Sequence, residues 1–261
     1  MPYSGGKQRV ADQIVQLFPD HASYVEPFAG ALSVLLAKAP APIEVVNDLN
    51  GNLVAFWRVL RDRPADLERV CALTPHSRFE FVDSLDLEVD ELEKARRVWV
   101  QLTQARGSRL EHKSGWRFVH GGNRTALSRY LQGYLDRIAP SAARLHHVSL
   151  ECRDALEVIN AYGLADALLY IDPPYLAETR NGDQYAHEFA SPEQHGDLLD
   201  LVLAVPSKVA ISGYPSRLYN TRLKGWERHE FASRNMRGAP RTEVLWTNFA
   251  PANTLPMGEA L

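Results

Sequence analysis

Residues 167–175 read ALLYIDPPY, an apolar run that closes on Asp172, Pro173, Pro174 and Tyr175. X-Pro pairs favour extended or turn backbone, and a turn alone would be satisfied by Gly, Asn or Ser. This group offers more than a turn requires. Asp172 brings two acceptor oxygens, the Pro173 carbonyl brings another that the Pro174 ring fixes, and Tyr175 brings a flat face. Rigid acceptors beside a stacking surface suit a planar ring carrying an exocyclic amino group. Ligands of open α/β sheets bind at the carboxyl ends of the strands, which is where this segment falls.

A second candidate is EPFAGALS (26–33), which follows another apolar strand pattern. Its small residues let a ligand approach the backbone where the next helix begins and its N–H groups point outward. Asp48 stands at the end of the following strand pattern, PIEVVNDLN, where dinucleotide folds hold ribose hydroxyls. One Gly and one Asp are also ordinary turn chemistry; the order strand, turn, helix, strand, acid puts a nucleoside site on an equal footing with that reading. The turn lacks G-x-G-x-x-G, so a ligand with ribose and adenine but no phosphates fits better than a pyrophosphate.

Positioning these groups takes an α/β sheet. The spacing of Val10, Ile14 and Leu17 predicts an amphipathic helix over 7–18. ASYVEPF predicts a strand ending at Pro27, ALSVLLAK a helix starting just after Gly30, and Asn50 a cap for a helix over 53–60. Strands are expected over 146–151, 167–171, 207–212 and 243–249, with Val244, Trp246 and weakly Asn248 sharing a face of the last. Helices are expected over 154–161 and 192–203, and 250–261 reads as a loosely held tail. Residues 61–140 break the pattern. They are helical and charged, and 106–124 forms a long basic loop rich in Gly and Ser, a length that a compact domain keeps for function or mobility.

The net charge of −3 conceals a dipole. Residues 80–93 carry seven acids and no base, whereas 94–144 carry eleven bases against Glu111 and Asp136. Such runs are commonly solvated helix faces. Interleaving with Trp99, Trp116, Phe118 and Tyr130 favours phosphate contact instead. Cys71 and Cys152 are too few for a disulfide framework and have no zinc spacing. The N-terminus has no apolar signal core and no apolar run is long enough to span a bilayer, so a cytosolic, membrane-free protein is expected.

These segments together resemble the Dam-like, D12 class adenine-specific DNA methyltransferases. DPPY follows an apolar strand, VEPFAG (25–30) looks like the family's S-adenosylmethionine (AdoMet) loop, and VVNDLN (45–50) looks like its ribose-binding strand end. PYSGGKQ (2–8) looks like the N-terminal aromatic–Gly–Gly–Lys motif, CRDALEVI (152–159) like the segment with an acid for the cofactor adenine, and 185–199 like the pattern after DPPY. The motifs keep the family's order across about 1–60 and 145–215. Two departures are Ala31 and Leu32 where further glycines are common, and Tyr3 where Trp is common. Leu32 packs inward or narrows the methionine pocket.

The resemblance implies a Rossmann-like methyltransferase sheet with helices on both faces. It implies a catalytic domain of 1–60 and 141–261, and a helical target-recognition insertion of 61–140. It assigns Asp172, Pro173, Pro174 and Tyr175 to catalysis. Tyr3, Lys7, Glu26, Pro27, Phe28, Gly30, Asp48, Asp154 and Asp172 go to the cofactor. The glycines, charge and aromatic pair of 106–124 put Arg106, Arg109, Lys113, Arg117 and Arg124 on DNA. The implied protein is a monomer without metal that methylates N6 of an adenine flipped out of double-stranded DNA. N4-cytosine or RNA adenine methylation would need similar geometry, and a non-catalytic DNA- or AdoMet-binding protein is the alternative from another class. A protein methyltransferase acting on an amide would usually offer Asn in place of Asp172.

Overall fold

A computed structural model describes residues 3, 5–107, 110, 115–118, 124–176, 189, 191–234 and 240–251. Seven strands form one sheet: β1 (Ser23–Glu26), β2 (Ile43–Asn47), β3 (Val148–Glu151), β4 (Ala167–Ile171), β5 (Lys208–Gly213), β6 (Glu227–Arg234) and β7 (Pro240–Thr247). Their order is β3-β2-β1-β4-β5-β7-β6, with parallel pairing from β3 to β5 and β7 running antiparallel to both neighbours. The chain winds outward from β1 in one direction and from β4 in the other. The β1–β4 boundary is therefore the topological switch point, where such sheets leave a crevice.

Strand alternation divides the core between two faces. Tyr24, Val46, Leu168, Tyr170, Ala210 and Leu245 point into one apolar cluster. Val25, Val45, Leu169, Val209, Ile211 and Trp246 point into the other. On the first face lie α1 (Ala11–Val15), α2 (Ser33–Ala37), α3 (Gly51–Asp62), α4 (Pro64–Ala72), α5 (Arg78–Asp83), α6 (Glu91–Gln104) and α8 (Ile138–Leu145). The second face is covered by α9 (Ala155–Tyr162), α10 (Pro192–Ala204) and α11 (Arg217–Arg222). Buried on both faces, the central strands read as continuous apolar runs, as parallel strands do. Remaining is α7 (Arg124–Leu135), which touches α4.

Several expectations shift. The first helix covers only Ala11–Val15, because turns occupy 8–10 and 16–17; Val10, Ile14 and Phe18 are buried and Leu17 is half-buried. The helix after Gly30 starts at Ser33, preceded by Leu32 in the left-handed region at φ 58°. Leu32 is buried in the first cluster, so it packs inward. Asn50 caps α3 by accepting from the Asn52 and Leu53 amides. The last strand ends at Thr247, leaving Asn248 beyond it, and β6 goes beyond the sequence expectation because ERHEFASR has only Phe231 and Ala232 as apolar residues and no apolar alternation. The tail expectation lies almost wholly outside the described residues.

The helices of 61–140 share the first cluster rather than enclosing a separate one. Leu67, Phe81, Val98, Trp99 and Leu102 pack with Phe56 and Leu60 of α3. The charge dipole is partly spent inside this layer: Arg96 pairs with Glu80 and Glu93, Arg97 with Asp83 and Glu93, and Arg144 with Glu44. For those three arginines intramolecular pairing holds. Arg117 instead lies over the Tyr130 ring, 4.5 Å from its centroid, and Arg137 over that of Tyr134.

Candidate active site

The carboxyl ends of β1, β2 and β4 enclose a cavity of about 270 Å³ at the switch point. Every cofactor residue expected from the sequence lines it: Tyr3, Lys7, Glu26, Pro27, Phe28, Gly30, Asp48, Asp154 and Asp172. Pro174 also lines it, whereas Pro173 and Tyr175 do not. Asp172 thus lines the cavity, while the Tyr175 ring, 5.0 Å from Lys7 Nζ, is not part of its lining.

Backbone geometry explains the loops. Gly30 has φ 47°, and a Cβ there would come within 3.3 Å of the Tyr3 ring, so only glycine both adopts this turn and lets Tyr3 lie against it. Asp48 fixes the same loop from the next strand: Oδ2 accepts from the Gly30 amide at 3.0 Å and Oδ1 from the Asn50 amide at 2.9 Å. Asp154 caps α9, its Oδ1 accepting from the Leu156 amide at 2.8 Å.

Lys7 is buried, and its Nζ sits 2.7 Å from Asp172 Oδ2, 3.1 Å from the Gly5 carbonyl and 5.0 Å from the Tyr175 ring centroid. Asp172 Oδ1 is buried too, and no group among the described residues meets it with normal hydrogen-bond geometry. Burial pushes the Asp172 carboxyl above its usual range, while the Lys7 charge and the nearby Tyr175 hydroxyl pull it part of the way back. Glu26 lies on the same sheet face and accepts from the Tyr24 hydroxyl at 2.9 Å. Burial pushes its carboxyl up to about 8, reinforced by Asp172 and opposed by the Tyr24 hydrogen bond.

Several residues at the site escaped sequence reasoning. Asn47 is fully buried; its amide donates to the Pro27 and Arg153 carbonyls, and its oxygen accepts from the Arg153 amide, tying three strand ends together. A polar residue closing the run IEVVN was the available signal. Phe189 meets Phe28 edge to face at 5.4 Å, and His195 of α10 bonds the Phe189 carbonyl and the Tyr219 hydroxyl. On β7, the Glu243 carboxyl is raised by burial, opposed by Lys7 and reinforced by Asp172, which places it in the electrostatic field of the DPPY segment. Its signal was hidden, because the register across β5 and β7 is a tertiary fact.

Of the basic residues, Arg106 and Arg117 flank a short antiparallel contact. The Arg106 amide donates to the Gly115 carbonyl, the Arg117 amide to the Gln104 carbonyl, and Ala105 bridges Trp116. Trp116 stacks on His76 at 4.6 Å with Arg78 on its ring, and Phe118 is exposed. Arg109 and Lys113 lie outside the described residues, and only the backbone of Arg124 is described.

Residues 3–231 match the D12 class N6 adenine-specific DNA methyltransferase family. The chain belongs to that family. As a member it is an enzyme that uses AdoMet to methylate adenine in DNA. The methyltransferase is 25% identical over 272 residues to the type II methyltransferase M1.LlaDCHI of Lactococcus lactis subsp. cremoris, covering 95% of this chain and 94% of that one. It is 24% identical over 204 residues to the type II methyltransferase M.MjaIII of Methanocaldococcus jannaschii, covering 67% and 68%. A solved SAM-dependent methyltransferase from Agrobacterium tumefaciens aligns with a TM-score of 0.35 at 10% identity, over 91% of this methyltransferase and 58% of that chain.

The cavity suits AdoMet on its own chemistry. Asp48 and Asp154 supply acceptors on its lining, Phe28 and Phe189 an aromatic wall, and Gly30 a close backbone approach. Among the described residues there is no group of three or more side chains that could hold a metal ion, and no helix is long and apolar enough to cross a membrane.

Proposed function

We propose that this methyltransferase binds AdoMet in the switch-point cavity and receives a flipped adenine of duplex DNA on the Tyr175 side of Asp172. The supporting observation is the asymmetry of Asp172: Lys7 holds Oδ2, while the buried Oδ1, near the Tyr175 hydroxyl, has no hydrogen bond of normal geometry among the described residues. An exocyclic amino group is a donor that matches it.

Adenine N6 is a poor nucleophile because its lone pair is delocalised into the ring. Accepting its two N–H bonds, at Asp172 Oδ1 and the Pro173 carbonyl, favours a pyramidal nitrogen and aims the lone pair. AdoMet supplies a methyl group activated by its sulfonium. Asp172 then stabilises the positive charge developing on N6, which is positioning combined with electrostatic stabilisation. The proton that N6 sheds can pass to Asp172, whose carboxyl burial already biases towards the neutral form. Flipping costs a few kcal/mol, and stacking on Tyr175 returns roughly 1–3 kcal/mol of it.

Around the cofactor, Tyr3, Glu26, Pro27, Phe28, Gly30, Asp48 and Asp154 form the binding set, with Lys7 acting chiefly through Asp172. Residues 61–140 serve target recognition, with Arg106, Arg109, Lys113, Arg117 and Arg124 on the DNA side; the exposed Phe118 and the stacked Trp116 beside Arg106 and Arg117 support this. The type II names of its relatives are in keeping with a restriction–modification setting; we further take the enzyme to be a cytoplasmic monomer.

The test is Asp172→Ala, assayed by mass spectrometry for N6-methyladenine in duplex DNA. The folded variant should lose roughly 10²–10³-fold or more in methyl transfer. Methylation near the wild-type rate would sink the mechanism.

A further inference from the structure

Behind Tyr175 stands a second aromatic residue that neither the motifs nor the cavity point to. Tyr214 follows directly on Gly213, the last residue of β5. Because β5 lies beside β4, the residue leaving β5 arrives next to the DPPY segment leaving β4. The approach is tightly set: a Cβ on Gly213 would come within 3.3 Å of the Trp246 ring and 3.7 Å of the Tyr219 ring. From there the half-buried Tyr214 ring meets Tyr175 edge to face, with centroids 4.6 Å apart and planes at 68°. Arg241 of β7 lies over Tyr214, 5.5 Å from its centroid.

An edge-to-face pair has one favoured orientation, because the positive ring edge seeks the negative ring face. A tyrosine held this way has its plane set before a ligand arrives, and the cost of ordering it is met on folding rather than on binding. We propose that Tyr214 is a positioning residue for methyl transfer: it fixes the plane of Tyr175, and Arg241 clamps it in turn, so that the flipped adenine meets a platform already oriented relative to Asp172. The hydroxyl of Tyr214 lies within the field of Glu243, Lys7 and Asp172, in keeping with that placement. The inference rests on the reading that Tyr175 receives the base.

The experiment uses the full-length enzyme, AdoMet, and a duplex carrying the site that methylation sequencing identifies, with 2-aminopurine at the target position for the fluorescence arm. Tyr214→Leu fills the volume without an aromatic edge, Tyr214→Phe keeps the ring, and Arg241→Met removes the clamp from a half-buried position. Tyr214→Leu should lower the single-turnover rate roughly tenfold and alter the 2-aminopurine signal, while Tyr214→Phe stays within about threefold of wild type. Arg241→Met should fall between them, and AdoMet affinity by calorimetry should be unchanged in all three.

A wild-type rate and signal in Tyr214→Leu overturns the inference. So does a Tyr214→Phe enzyme as slow as Tyr214→Leu, since the ring would then not be the operative part. Should Tyr214→Leu fail to fold, a wild-type signal in Arg241→Met overturns the clamp by itself. A parallel Tyr175→Ala enzyme separates the levels. If it leaves the 2-aminopurine signal unchanged, the base-stacking reading falls and this inference with it; if it alters the signal while Tyr214→Leu does not, only this inference falls.

Discussion

The sheet holds a lysine–carboxylate pair at each of its two ends, both at 2.7 Å, and the two are used in opposite ways. At the amino end of β2, Glu44 is nearly surrounded by donors. Lys38 and Arg144 reach Oε1 at 2.7 Å each, Arg144 also contacts Oε2, and the Ala41 amide donates at 3.1 Å. Although burial opposes it, these partners together hold the Glu44 carboxyl below its usual range. At the carboxyl end of β4, Asp172 has Lys7 on Oδ2 and, among the described residues, no hydrogen bond of normal geometry on Oδ1, and burial raises its carboxyl. Burial raises both carboxyls, and at Glu44 the surrounding donors outweigh it, whereas at Asp172 Lys7 and the Tyr175 hydroxyl do not. A buried carboxylate met by donors on both oxygens is a structural fixture, whereas one held firmly on a single oxygen can still accept from a ligand.

The comparison can be broken most directly by removing each carboxylate in turn. Glu44→Ala leaves Lys38 buried without its partner and should cost about 3–5 kcal/mol of stability, read as a lowered urea midpoint, while the fraction that remains folded methylates DNA at the wild-type rate. Asp172→Ala should show the reverse weighting, with transfer lost and a smaller stability loss, because relieving a carboxyl that burial already raises offsets part of what Lys7 loses with its partner. Equal stability losses in the two variants would erase the distinction.

A smaller effect is expected at Asp48, also at the carboxyl end. Asp48→Ala should weaken AdoMet binding by about 1.5–3 kcal/mol, the scale of a hydrogen bond to a charged group, with a modest stability loss because two loop amides lose their acceptor. Unchanged AdoMet affinity by calorimetry would remove Asp48 from the cofactor set.

The smallest effect per step is in the pH dependence of Glu26. Its carboxyl is raised from an unperturbed 4.5 to about 8, so the folded chain keeps a proton there that the unfolded chain releases. The stability this contributes is full below pH 4.5 and is lost as pH rises through 8. Glu26→Gln should therefore gain on the wild type by at most about 1.4 kcal/mol per pH unit across that window, measured as the difference in unfolding free energy between the two proteins. A difference that does not vary with pH would show that Glu26 is ionised in the folded state.

Much of this architecture was legible because it is local. The apolar runs of β1, β2, β4 and β5, the Asn50 cap and the Gly30 turn each follow from neighbouring residues. Unmasking β6 needed its partner: ERHEFASR carries too little apolar periodicity to declare a strand, and it pairs along its whole length with β7. The first helix was overextended because Val10, Ile14 and Phe18 are buried from turns as well as from a helix. Charge was the most misleading signal. The bases of 94–144 read as one surface, yet Arg96, Arg97 and Arg144 are tied to acids that the chain brings back from 16, 14 and 100 residues away.

The sequence by itself determined the sheet class, the family and the residues around the cavity, since DPPY, EPFAG and VVND each join a strand end to the polar group it presents. Only the tertiary structure decided how these groups divide their partners. Lys7 lies 165 residues from Asp172, Asn47 ties its strand end to a carbonyl 106 residues away, and Tyr214 reaches Tyr175 only because β5 lies beside β4. The physical reason is that a residue's type states what it can donate or accept. Burial and long-range pairing alone settle which of those capacities folding uses up and which remain open to a ligand.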